Sequence, residues 1–377
     1  MGRRHDALRR AAAVAMAALL AACSERAAQP AQPGPIGEPQ VVTLGAGESF
    51  VAVSPSGEEL VTAMEPTVPD GADDWVREFC IRTGPGYAEA TCTDTGRYGV
   101  GTWDATWNAD GSKLAFVQPG SRNSQGVQDV VWVLDLATGA AEPVTPEEWI
   151  ADTPDLAWAG DGRLLYTWAT DARTELRTLD VDGPTGEPET VATLEEVEVR
   201  GLFVVDGVPW VAGEVREGES ATRAGLYAVS DGVSGAPADL RPVLEHSPDE
   251  SLVGLSPDGA RAVVQGWDTH FAVPPEVHDL ATGERTRINA DGGPEEAVAA
   301  VAFGPDGHDR LVSVSYDGVG TSISLFDEDL DLVGERWIDR AERTYYYNGV
   351  GLTDRGITVV SSTDGQPQQV LVFPIGG

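Results

Sequence analysis

Lysine is nearly absent from this sequence of 377 residues: Lys113 stands alone, and with the arginines it makes 25 basic residues against 61 acidic ones. The formal charge of −36 excludes nucleic acid as a partner, since phosphate binding needs a basic face and this surface repels one. Cysteine, at three, and histidine, at five, are too few for a disulfide-dense scaffold or a zinc-organised fold. No apolar run approaches the ~20 residues that a membrane-spanning helix requires. Catalytic signatures of fixed local spacing are missing as well: there is no Gly-x-Ser-x-Gly elbow, no His-Glu-x-x-His and no phosphate-cradling glycine loop. Turn-forming residues, by contrast, are abundant. Gly 44 and Pro 25 favour a chain that turns often over a helical one, and 41% hydrophobic residues suffice for a core, which excludes general disorder.

Residues 1–10 carry Arg3, Arg4, Arg9 and Arg10, and an apolar stretch follows from Ala11 to Ala22. A basic start followed by a short apolar run has the form of a secretory leader, residues 1–22. The stretch ends in Leu20-Ala21-Ala22-Cys23, which resembles the lipobox of bacterial lipoproteins. The resemblance implies cleavage before Cys23 and a lipid on its thiol. The Arg3-Arg4 pair is followed by His5, Asp6 and Ala7, which do not fit a twin-arginine signal. Residues 23–40 are Ala, Gln, Pro and Gly with almost no bulky apolar side chain, and read as a disordered tether with a reach of roughly 50 Å. The expected product is exported and held by its lipid on the extracytoplasmic face of a bacterial membrane. One lysine, many arginines and an Ala-rich leader suit a GC-rich genome of actinobacterial type.

Residues 41–377 are repetitive. Short apolar runs flank a tight turn seven times, at Gly57, Gly111, Gly162, Gly207, Gly259, Gly307 and Gly356, which lie 45 to 54 residues apart. A second turn recurs between them: Asp135-Leu136-Ala137-Thr138-Gly139 and Asp279-Leu280-Ala281-Thr282-Gly283 are the same five residues, and Gly186 and Gly235 hold the corresponding place in two other units. Each unit therefore reads as four short strands, a to d, with hairpins at a–b and c–d. Four strands at this period are the signature of β-propeller blades. Ser256-Pro257-Asp258-Gly259, and the near matches Ser54-Pro55-Ser56-Gly57 and Gly304-Pro305-Asp306-Gly307, resemble the turns of TolB-like and WD-repeat-like propeller families. The resemblance implies an all-β scaffold used by binding proteins and enzymes alike, and by itself no function. The extra domain and six blades of TolB are not matched, so its partners are not implied. Seven blades are expected here; six would require the unit at 199–215 to be something else. The last unit lacks a fourth strand, and Val41-Val42-Thr43-Leu44 is a spare one, so the N-terminus is expected to complete the last blade and close the ring.

With Cys23 given to lipid, Cys80 and Cys92 form an even pair in an exported chain, where disulfides persist. A hairpin centred on Gly86 sets the two opposite each other. His246, His270, His278 and His308 lack metal-ligand spacing and read as structural or surface residues, so no metal ligand is assigned. Asp327-Glu328-Asp329-Leu330-Asp331 alternates acids as a calcium loop does, but carries Leu332 where that loop needs Gly; Asp180-Val181-Asp182-Gly183 is a second partial match. Apart from these two calcium-like strings, no cofactor is expected. The Asp-Leu-Ala-Thr-Gly turns resemble part of the tryptophan-docking motif of quinoprotein propellers, but the flanking Ala and downstream Trp are missing.

In a propeller the d–a and b–c connections share one face around the central channel, where ligands bind. The d–a connections here carry Glu48, Trp103, Asp104, Asp155, Arg200, Glu250 and Tyr345, and the b–c connections carry Asp70, Asp73, Asp74, Trp267 and Asp268. Trp103-Asp104 and Trp267-Asp268 each set an aromatic ring beside a carboxylate. Trp107 and Trp158 sit at the ends of a-strands and read as packing between blades. Two function classes follow. One is a membrane-tethered binding module whose acidic, aromatic-edged mouth takes a protein, peptide or cell-wall ligand of cationic character. The other is a glycoside hydrolase or lyase working with mouth carboxylates; no catalytic residue is assigned, and the sialidase-type Asp-box is absent.

Overall fold

The structure is a computed structural model of the full chain. It describes residues 36–64, 78–94, 103–123, 126–145, 148–149, 155–160, 162–169, 173–182, 188–217, 220–230, 238–268, 271–288, 297–304, 310–316, 320–339, 346–353, 355–362 and 367–375. The leader, Cys23 and Tyr345 lie outside them.

Alternating short strands and tight turns build seven four-stranded blades in a ring, a β-propeller. Strand β1 (Gln40–Thr43) comes first in the chain but belongs to the last blade. Blade 1 is β2 (Glu48–Val53), β3 (Leu60–Met64), β4 (Glu78–Thr83) and β5 (Glu89–Asp94). Blade 2 is β6 (Trp103–Trp107), β7 (Lys113–Asn123) and β8 (Gly126–Asp135), edged by β9 (Ala141–Pro143) and β10 (Glu148–Trp149). Blade 3 is β11 (Leu156–Ala159), β12 (Arg163–Ala169), β13 (Thr174–Asp180) and β14 (Glu189–Leu194). Blade 4 is β15 (Val197–Val205), β16 (Val208–Glu217), β17 (Ser220–Val229) and β18 (Leu240–His246), so the 199–215 unit is a full blade. Blade 5 is β19 (Glu250–Leu255), β20 (Arg261–Asp268), β22 (Glu276–Asp279) and β23 (Arg285–Arg287), with the two-residue β21 (Phe271–Ala272) beside β20. Blade 6 is β24 (Ala297–Phe303), β25 (Leu311–Tyr316), β26 (Gly320–Phe326) and β27 (Leu332–Asp339). Blade 7 is β28 (Tyr346–Thr353), β29 (Gly356–Ser362) and β30 (Gln369–Phe373), completed by β1.

The turns behave as their sequences dictate. Gly57, Gly111, Gly162, Gly207 and Gly259 have φ between 68° and 80°, the left-handed region that a side chain disfavours. Several also approach the preceding blade closely: a Cβ at Gly57 would lie 2.6 Å from the Thr353 hydroxyl, and one at Gly259 2.4 Å from Val205. The leading residue of the turn spans it by a side-chain bond, from the Glu59 amide to Ser54, the Arg261 amide to Ser256 and the Lys113 amide to Asn108. In the c–d turns, Asp135 and Asp279 each accept from the amide and hydroxyl of the Thr three residues on. Those bonds hold both carboxyls below the usual range.

Burial lies between blades rather than in one centre. Leu164 and Tyr166 of β12 face blade 2 and pack with Val117 and Val133, whereas Leu165 faces blade 4 and packs with Val211 and Tyr227. A strand buried on both faces must be apolar on both, which is why the runs are continuous rather than alternating. Trp107 and Trp158 join these layers, and the Trp158 indole donates to the Thr106 carbonyl of blade 2 at 2.9 Å.

Closure is by β1, antiparallel to β30 with Val41 opposite Leu371 and Val42 opposite Val370. Residues 36 and 37, expected within the tether, already pair with the end of the last blade: Ile36 bridges to Ile375, and the Gly37 amide donates to the Pro374 carbonyl. Ile36 can be held because it is buried among Val312, Ile323 and Phe373. Blade 7 then meets blade 1 across Val42, Leu44, Leu60, Tyr87 and Val370.

A buried carboxylate stands at this junction. Glu48, expected among the mouth acids, is 5% exposed. It accepts from Arg82 Nε and Nη2, both at 2.6 Å, from the Thr62 hydroxyl and from the Gly45 amide. Burial pushes its carboxyl up, but these bonds and the Arg82 charge outweigh that and leave it below the usual value. A depressed carboxylate stabilises the fold above its unfolded pKa, and the contribution is lost as pH falls through the folded one. Glu48→Gln, which strands the Arg82 charge, is expected to cost about 3 kcal/mol in denaturant unfolding at pH 7, with the deficit shrinking in acid. A deficit under about 0.5 kcal/mol would show that the pair does not hold the junction.

Cys80 and Cys92 are directly opposed on β4 and β5 and form a disulfide, S–S 2.07 Å. With a sequence separation of 12, Cys80→Ser is expected to lower stability by about 3 kcal/mol in non-reducing unfolding, and no difference should remain once the wild type is reduced.

Candidate binding site at the ring mouth

In every blade strand a leaves one end of the ring, strand b returns to it and strand c leaves it again. That end is the mouth. The acid-rich stretches 65–77, 146–154 and 289–296 are flanked by strand ends that meet there. The first strands of successive blades touch one another around the axis, β6 with β11, β11 with β15, and β24 with β28.

Six of these inner strands share an irregularity. Their register against strand b shifts between Phe50 and Ala52, Trp103 and Ala105, Val199 and Gly201, Leu252 and Gly254, Val298 and Ala300, and Tyr347 and Val350. An extra residue leaves the ladder, bends the strand and re-aims what it carries. Asp104 and Arg200, chosen from dissimilar sequence, hold this same extra place in blades 2 and 4. Blades 1, 5 and 6 put Val51, Val253 and Ala299 there.

The other expected residues fall into place unevenly. Trp103 opens β6 opposite Val117, and Trp267 and Asp268 end β20 opposite Ala272 and Phe271. Both Trp-Asp pairs thus reach the mouth, in blades 2 and 5. Asp155 sits just before β11, its amide donating to the Thr167 hydroxyl. Glu250 opens β19, half-buried, and accepts from the Ser247 amide at 2.7 Å. Glu48 belongs to the blade 1 junction, not to a ligand surface.

Arginine has a larger share of the mouth than expected. Arg200 is bound to Glu214 at 2.6 Å and to Glu198 at 3.3 Å, and Arg216 also binds Glu198. In blade 3, Glu175 is 5% exposed and held by Arg173 at 2.6 Å, Arg177 at 3.0 Å and the Thr190 hydroxyl. Arg177 also lies over the Trp168 ring, 3.9 Å from its centroid, an electrostatically favourable stack. The mouth ends of blades 3 and 4 are therefore a linked Arg–Glu surface rather than bare acid. The signal was in the sequence as Glu175-Leu176-Arg177 and Glu214-Val215-Arg216, charges spaced by two and so on one face of a strand.

The calcium-like strings are turns. Asp327 accepts from the amides of Asp329 and Asp331, as Asp135 and Asp279 do in their blades, and Asp180 accepts from the Asp182 amide. Among the described residues no three His, Cys, Asp or Glu side chains converge as a metal would require.

No model of a known protein family matches the chain, and no curated protein sequence does. Solved structures match the fold. The propeller domain of the Trilobed protease from Pyrococcus furiosus, described as having an open velcro topology, is 14% identical over 86% of this chain and 95% of its own, with a TM-score of 0.58. An oligogalacturonate lyase in complex with manganese is 14% identical over 90% and 98%, with a TM-score of 0.53. TolB from Acinetobacter baumannii is 15% identical over 78% of this chain and 65% of its own at a TM-score of 0.47, and nothing further rests on it. Identities this low establish the β-propeller scaffold alone.

Proposed function

We propose that the protein is a lipid-anchored, extracytoplasmic binding module whose ring mouth takes a cationic protein, peptide or cell-wall ligand. The observation that carries this reading is the contrast between the two ends of the ring. At the base, Asp135, Asp279, Asp327 and Asp110 are occupied by hydrogen bonds within their own turns. At the mouth, the arginines answer the acids in blades 3 and 4, while strand ends of blades 1, 2, 5 and 6 flank the stretches 65–77, 146–154 and 289–296, which hold ten Asp and Glu and one Arg. Such an arc focuses a negative field over the channel. The Cys80–Cys92 bridge suits an oxidising compartment. Among the described residues no helix is long and apolar enough to cross a membrane; in this reading the anchor is Cys23 of the lipobox-like Leu20-Ala21-Ala22-Cys23.

A basic peptide is expected to raise the melting temperature by an amount worth about 1–2 kcal/mol at ten times its Kd or above, more than matched monovalent salt does. Asp104→Asn, Asp155→Asn, Glu250→Gln and Asp268→Asn combined should remove most of the increment. Glu142→Gln, Glu189→Gln, Glu284→Gln and Glu328→Gln at the base should leave it. Equal losses from the two sets would reduce the response to general screening and end the mouth reading. Turnover of an oligouronide or other glycan that is abolished by the mouth set would instead select the hydrolase or lyase class.

The anchor has its own test. Cys23→Ser should move the protein from the membrane fraction to the soluble one. A wild type that is already soluble and free of lipid by intact mass would remove the anchor from the proposal.

A further inference from the structure

Blades 1 and 5 are built alike at one place. Glu48 opens β2 and Glu250 opens β19; each accepts from the amide three residues back, Gly45 or Ser247, at 2.7 Å. Five residues on, Val53 pairs with Leu60 and Leu60 with Arg82, while Leu255 pairs with Ala262 and Ala262 with His278. His278 thus holds in blade 5 the position of Arg82 in blade 1, on the face toward the preceding blade. Blades 2, 3, 6 and 7 put Leu134, Leu179, Phe326 and Phe373 at that point of strand c. Arg82 reaches its glutamate. The shorter imidazole of His278 does not: it is 4% exposed, and its Nε2 has no hydrogen-bond partner.

The seam around it is unlike the others. Buried apolar clusters span the seams between blades 1 and 2, 2 and 3, 3 and 4, 5 and 6, 6 and 7, and 7 and 1. Among the described residues none spans blades 4 and 5. There the fully buried side chains on the facing surfaces are mostly small, Ala212, Ala224 and Ala228 against Ala262, with Leu226, Val264 and Val205, and the larger Phe203 and Trp210 are only half-buried. Alanines bury little area, so this seam has little to offset a new charge.

We propose that the seam between blades 4 and 5 is an acid-sensitive joint, closed while His278 is neutral and loosened when its imidazole is protonated. The charge would arrive with no hydrogen-bonded counterion. The nearest carboxylate, Glu276, is 3.9 Å away and already accepts from Arg287. Arg285 lies opposite on β23, and Glu250 faces it from β19. From blade 4 the facing groups are His246 and Arg241 on β18 and Glu214 on β16, the last bound to Arg200. Burial first, then the Arg285 charge, lowers the imidazole pKa against the opposing pull of Glu276 and Glu250. The native state therefore binds fewer protons than the unfolded chain. Stability from this group is present above the unfolded value of about 6.5 and is lost as pH falls from there through the folded pKa. The inference does not depend on the mouth reading, although the joint ends at the Ser247–Glu250 turn and would carry acid sensitivity to it.

Hydrogen exchange of the full chain at pH 7.5 and 5.5, corrected for intrinsic rates, tests the joint. Amides of β18, β19 and β22 should gain severalfold in exchange at pH 5.5, up to the roughly tenfold ceiling that one group with an open-state pKa near 6.5 sets over this range, while those of β2 to β4 around the Arg82–Glu48 pair do not. His278→Phe, the residue type that blades 6 and 7 place there, should fold and abolish the local gain. The same gain in His278→Phe, or equal gains in all seams of the wild type, would overturn the proposal. Should that variant not fold, NMR titration of the wild-type imidazole decides: a pKa below 6.5 is expected, and one at or above it refutes the switch.

Discussion

The four-residue pairing of β1 with β30 is the constraint on which the ring depends. A propeller has no central core to hold it; each blade is stabilised by the two it touches, and an unclosed ring would leave the first and last blades each with a bare face. Pairing Gln40–Thr43 with the last blade ties the beginning of the propeller to its end and covers a sheet edge. The same region gathers the supports that make closure stable: Ile36 in the layer between blades 6 and 7, Tyr87 donating to the Gly57 carbonyl, and Glu48 with Arg82 and Thr62. The Phe50 amide adds a bond to the Gln368 side chain of blade 7.

Around that junction the seams differ in kind. Most are apolar and close by area alone, as where Phe79 meets Phe116 at 4.5 Å between ring centroids. The blade 1 junction adds a permanently charged pair. The seam of blades 4 and 5 has mostly small side chains and an imidazole whose Nε2 has no hydrogen-bond partner. One repeated backbone thus carries three solutions to the same contact, and they differ in how pH acts on them, because only a group near neutrality titrates where the others do not.

The repeat is least regular at the rim. Turns at the base use their polar side chains to satisfy their own backbone, which leaves little for a ligand. The strand ends at the mouth carry bulges, Trp-Asp pairs and linked arginines and glutamates. A bulge changes the direction of a single residue without disturbing the blade, so Asp104 and Arg200 can vary while the scaffold stays constant.

The fold was legible in the sequence because its signals are local. Glycines that need positive φ, turn residues that bond their own backbone and runs apolar on both faces each act within a dozen residues, and their recurrence gave seven blades and the closing strand. The Cys80–Cys92 bridge was legible for the same reason, since one hairpin sets its register. The tether boundary was not, because Ile36 is held only by layers formed from residues more than 270 positions later. The role of Glu48 was misread as a mouth acid because its partner, Arg82, reaches it from two strands away. The equivalence of Arg82 and His278 could not be seen either, as it rests on strand pairing and on which face meets the preceding blade. Local chemistry determined the elements and their number; only packing between elements distant in sequence decided which charges are buried and which are paired.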